Sequence, residues 1–125
     1  MAVRGVRGAI TVEKDTKEEV LEATKLMLEE IIARNELRAE DIGSMIFTTT
    51  EDVSSVFPAQ AVRMLDGEGW EFVPLMCARE IPVSGALPMC VRVMMHVNTE
   101  KAASDIQHVF LRDAVKLRPD LTNQG

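Results

Sequence analysis

Cysteine is scarce in this chain. Only Cys77 and Cys90 occur, too few and too far apart for a secreted disulfide framework or a metal-type pattern. His96 and His108, the two histidines, do not complete a zinc-ligand spacing with them. Excess positive charge is also missing. The net charge of −6 argues against a general nucleic-acid binder, which would present a basic face. No apolar run approaches the roughly 18 residues of a membrane span, and the first residues lack a signal-peptide core, so a cytoplasmic protein is expected. Internal repeats, linkers and low-complexity stretches are absent. So are GxSxG, P-loop, GxGxxG and HExxH motifs.

What is present reads as one domain over residues 1–125, with 46% hydrophobic and 27% charged residues. Its most distinctive stretch is Met89–Val97, MCVRVMMHV, whose apolar density suits a strand buried on both faces. Alternation puts Val91, Val93, Met95 and Val97 on one side, and Cys90, Arg92, Met94 and His96 on the other. Arg92 is the anomaly, because an unpaired buried guanidinium costs several kcal/mol (roughly). A structural ion pair, a snorkelling edge residue and a ligand-binding arginine all satisfy that demand. Further arginines in Gly-, Val- or Pro-containing contexts (Arg4, Arg7, Arg63, Arg118) favour a small anionic ligand, because guanidinium matches planar anions.

Taken in order, Ala2–Val12 reads as a first strand, with Arg4 and Arg7 on opposite faces. Thr16 and Glu19 form a capping-box pattern, and Val20, Thr24, Met27, Leu28 and Ile31 recur at helical spacing toward a stop at Asn35. A second strand is expected over Ile42–Thr50 and a loop over Glu51–Val56. Phe57-Pro58 opens a second helix that carries Arg63, read from spacing as a solvated residue, and Gly67 closes it. Trp70–Met76 reads as a third strand. Cys77–Gly85 reads as a loop in which Cys77 and Glu80 face one cavity if the turn is helical. A last strand spans Gln107–Lys116, and Pro119 keeps the tail irregular. The expected architecture is α+β: a mixed sheet of about five strands with helices on one face. A sheet covered on one face invites oligomerisation through the other.

The guanidinium set together with Glu80 suits binding a dianion and stabilising charge that grows on an oxygen. Cys77 as a nucleophile has no supporting motif. The segments RGVRGAITVEKDT, VFPAQAVR, WEFVPLMCAREI, CVRVMMHV and LRPDL, in that order, resemble the small monofunctional chorismate mutase of bacteria. The resemblance runs from about residue 3 to residue 121. It implies a trimer with a barrel-like core, active sites between subunits, no cofactor or metal, and no nucleic-acid or membrane partner. The implied reaction is the pericyclic rearrangement of chorismate to prephenate, on the route to phenylalanine and tyrosine.

By the same resemblance, Arg92 meets the ether oxygen, Arg7 a substrate carboxylate and Glu80 the ring hydroxyl. Phe57, Ala59 and Arg63 would form a neighbouring wall. Leu75, Met76, Cys77 and Phe110 would line the pocket, and Leu117 and Arg118 belong to a tail (residues 117–125) closing over it. Three positions depart from the pattern: Phe110 stands for a tyrosine, Gln60 for a lysine and Met76 for a smaller polar residue. A trimeric enamine/imine deaminase-like enzyme and a non-catalytic sensor of an aromatic-pathway acid are the alternatives.

Overall fold

Alternating apolar residues decide which way each strand faces. In the computed structural model, which describes residues 1–117, the strands are β1 (Ala2–Thr11), β2 (Ile42–Thr49), β3 (Leu75–Arg79), β4 (Cys90–Thr99) and β5 (Val109–Leu111). They form a single sheet in the order β3-β2-β4-β1-β5, with β4 central. β4 runs antiparallel to β1 and β2, while β2–β3 and β1–β5 pair in parallel. The mixed α+β expectation holds. Val91, Val93, Met95 and Val97 are buried, together with Met45 and Phe47 of β2 and Val6 and Ile10 of β1. Each such side chain contributes about 1.5–3 kcal/mol of hydrophobic stabilisation.

Helix α1 (Lys17–Asn35) lays Val20, Ala23, Met27, Leu28 and Ile31 on that face. Gly8 makes the close approach possible: a Cβ there would stand 2.6 Å from Ile31 Cδ1 and 3.1 Å from Val93 Cγ1. Thr16 caps the helix by accepting from the Glu19 amide at 3.2 Å. The reciprocal half of the capping box does not form, since Glu19 Oε2 is buried without a partner among the described residues. The helix ends at Asn35, the expected stop, and Glu36 caps it with φ 55°. Asn35 instead cross-links the fold: its Nδ2 donates to the Ile31 and Gln107 carbonyls, both at 2.9 Å, and its Oδ1 accepts from the Gln107 amide at 2.8 Å.

Other expectations need correction. The second helix is a short 3-10 segment, Pro58–Met64, packed against α1. Residues Trp70–Phe72 are not strand but a 3-10 turn held by Trp70 Nε1 donating to the Asp66 carbonyl at 2.9 Å. Pro74 has no N–H to give the ladder, so β3 begins after it and runs on through Cys77 to Arg79. The last strand is only Val109–Leu111, halted where Arg112 takes φ 58°, and Arg112–Lys116 is a 3-10 turn.

The second face of the sheet is largely open in this chain. The register aligns Met76, Ile46 and Met94 across β3, β2 and β4, and they are 63%, 36% and 37% exposed. Burial of β4 on both faces is therefore not met within a single chain. Among the described residues, no helix is long and apolar enough to cross a membrane.

Candidate active site

The open face gathers the charged residues. Arg92 sits mid-way along β4, directly opposite Ala9 of β1 and Thr48 of β2. Alternation sends its side chain away from the core between Val91 and Val93. Arg7 shares this face through its register with Met94, and Phe110 joins through its register with Ala9. The Arg7 guanidinium carbon lies 5.7 Å from the centre of the Phe110 ring, within cation–π range. The Arg7 amide donates to His108 Nδ1 at 3.0 Å, which ties β1 to the start of β5.

Glu80 follows β3 and turns onto the same face. Its Oε2 accepts from the Thr48 hydroxyl and lies 3.7 Å from Arg92 Nε. That separation is a charge contact beyond hydrogen-bond distance. Arg92 Nε is buried and has no hydrogen-bond partner among the described residues. A buried donor left open is costly, so it marks a place where an acceptor belongs. Beside it, burial pushes the Cys90 thiol up from its ordinary value, with the Arg92 charge opposing. Cys90 packs with Ala9, Phe110 and Ala114 in a small apolar cluster, and Leu87 and Leu117 close its edge.

A second group lies apart from the first. Leu75 and Cys77 align with Met45 and Phe47 and therefore face the helix-covered side. Cys77 lines a groove of about 530 Å³ together with Val53, Phe57, Pro58, Gln60 and Arg79. Phe57 is 68% exposed, Ala59 half-buried, and Arg63 exposed on the last turn of the 3-10 segment. The loop expected from Cys77 is strand as far as Arg79, so the helical turn that would bring Cys77 and Glu80 into one cavity does not form and the two diverge. Arg118 and the tail beyond it lie outside the described residues.

Two contributors escaped the sequence reading. Thr48 was one of three like threonines in a row, and nothing local singles it out. Arg79 donates through Nη1 to Thr49 Oγ1 (3.0 Å) and to the Thr50 and Val53 carbonyls (both 2.8 Å), clamping the loop after β2. Among the described residues, no cluster of His, Cys, Asp and Glu is arranged to hold a metal ion.

The family model for chorismate mutase type I matches residues 3–121. The chain belongs to that family. It is 49% identical over 122 residues to the chorismate mutase AroH of Bacillus subtilis (strain 168), covering 98% of this chain and 94% of the relative. It is 48% identical over 120 residues to the chorismate mutase AroH of Thermus thermophilus, covering 95% and 96%. Its fold is similar to a solved chorismate mutase from Clostridium thermocellum: TM-score 0.83, 46% identity, 88% of this chain and 96% of that one covered. Chorismate mutases are isomerases of aromatic amino acid biosynthesis, so membership decides against the deaminase-like alternative.

Proposed function

We propose that this single-domain chain converts chorismate to prephenate in the cytoplasm, at clefts between the subunits of a homotrimer with a barrel-like core. The observation that carries the reading is the buried Nε of Arg92 in the middle of the central strand, which has no hydrogen-bond partner among the described residues. In the rearrangement the ether C–O bond breaks as the new C–C bond forms, and negative charge gathers on the ether oxygen. A guanidinium already fixed there stabilises that charge without reorganising. Arg7 grips a carboxylate of the folded substrate and Glu80 accepts from the ring hydroxyl, so the reactive conformer is selected. Phe110 and Leu117 stand beside these groups.

The divergence of the two residue groups supports assembly from two subunits. The face bearing Arg92, Arg7, Glu80 and Met76 of one protomer would meet the edge bearing Phe57, Ala59, Arg63, Leu75 and Cys77 of another. No residue need shuttle a proton, and the reading invokes no cofactor.

The test is the loss of chorismate's ultraviolet absorbance on adding the protein. Arg92→Ala is expected to keep the parent's circular dichroism and to lose on the order of 10²–10³ in turnover, the scale of a lost oxyanion donor. Parent-like turnover by Arg92→Ala would refute the reading.

A further inference from the structure

We propose that Thr48 is the positioning residue for Glu80: its hydroxyl occupies one carboxylate oxygen, keeping the other for the substrate and the carboxylate off Arg92. The inference rests on the role given to Glu80 above. Two adjacent residues of β2 hold Glu80 at both ends. The Thr49 carbonyl accepts its amide at 2.9 Å, extending the β2–β3 ladder by one residue. The Thr48 hydroxyl donates to its Oε2. Arg79, the residue before Glu80, donates to Thr49 Oγ1 and to the Thr50 and Val53 carbonyls, so the backbone leading into Glu80 is tied to the loop after β2.

Thr48 also stands directly opposite Arg92 in the strand register. A carboxylate beside a guanidinium ordinarily closes into a short, bidentate pair. Here the approach stops at 3.7 Å from Nε. The bond from Thr48 fixes Oε2, and no donor among the described residues reaches Oε1. Thr48 thereby does two things at once: it leaves an acceptor for a ring hydroxyl, and it keeps the Arg92 donor uncommitted for the oxygen that gains charge. A methyl in place of the hydroxyl would release Glu80 to neutralise Arg92.

The experiment is a double-mutant cycle on the full chain, read as kcat/KM for chorismate and as Kd for a bicyclic dianionic mimic of the transition state. Thr48→Val is expected to lower kcat/KM by up to about 10²-fold, as for a misplaced catalytic group, with Thr48→Ser returning it close to the parent. In a Glu80→Ala background, Thr48→Val should change neither readout. Where turnover is too low to measure, the mimic's Kd carries the cycle. A parent-like Thr48→Val overturns the proposal, as does an equal loss in the Glu80→Ala background. An unfolded Thr48→Val overturns it too, because the hydroxyl then serves the strand. A parent that neither turns over chorismate nor binds the mimic refutes the reading of Glu80 itself.

Discussion

Arg92 owes its place to two neighbours of contrasting size. Ala9 on one side leaves room for a long side chain, and Thr48 on the other offers a hydroxyl that engages Glu80 rather than the guanidinium. Among the described residues the Arg92 Nε has a charge contact with Glu80 but no hydrogen-bond partner, which suits the proposed role of a group whose acceptor arrives with the substrate. Phe110 tests how near the ligand comes to β5. It is buried against Ala9 and Cys90 and stacked on Arg7. Restoring a phenol with Phe110→Tyr should lower KM roughly two- to tenfold, the worth of one added hydrogen bond. Steady-state kinetics and a melting curve read the outcome together. An unchanged KM with a lower Tm would mean that the hydroxyl is buried without an acceptor, and that Phe110 does not face the ligand.

Helix α1 and the loop before Phe57 set the frame for these side chains. Gly8→Ala should destabilise the protein by about 1–3 kcal/mol, because the new methyl overpacks against Ile31, Val93 and Met27. Trimming Ile31 to Val in the same chain should recover much of that loss in denaturant unfolding. At the other end of the helix, Asp15 ties the Ser54-Ser55 loop. Its Oδ2 accepts from the Ser54 amide and its Oδ1 from the Ser55 amide, both at 3.0 Å. Hydrogen bonds from Ser55 first, and from Ser54, hold its carboxyl below the ordinary 3.8, with partial burial opposing. A folded-state value below the unfolded one stabilises above the unfolded value and fades as pH falls through the folded one. Asp15→Asn should thus lower Tm at neutral pH, and the gap to the parent should narrow as pH drops below 3.8. A gap independent of pH would show that the charge on Asp15 is not what ties the loop.

The single chain leaves Ile46, Met76 and Met94 on an open sheet face. The proposed trimer would cover that face and complete each cleft in the same step. Ile46→Lys places a charge in the middle of it, so light scattering after gel filtration should register a smaller species. Chorismate turnover should fall in parallel. Full activity in a monomeric variant would separate catalysis from assembly and contradict a cleft shared between subunits.

Local pattern was enough for several of these features. Alternation along β4 assigned the core face and turned Arg92 away from it, and the period of α1 with its Thr16 cap located the helix. Those signals depend on neighbours within a few positions, which is the range over which sequence constrains backbone geometry. Other features needed the folded chain. The bond between Thr48 and Glu80 spans 32 residues and Asn35 reaches Gln107 across 72. The course of Cys77 away from Glu80 depended on β3 finding a parallel partner in β2. No periodicity encodes such meetings, because they are fixed only when strands distant in the chain settle their order and register.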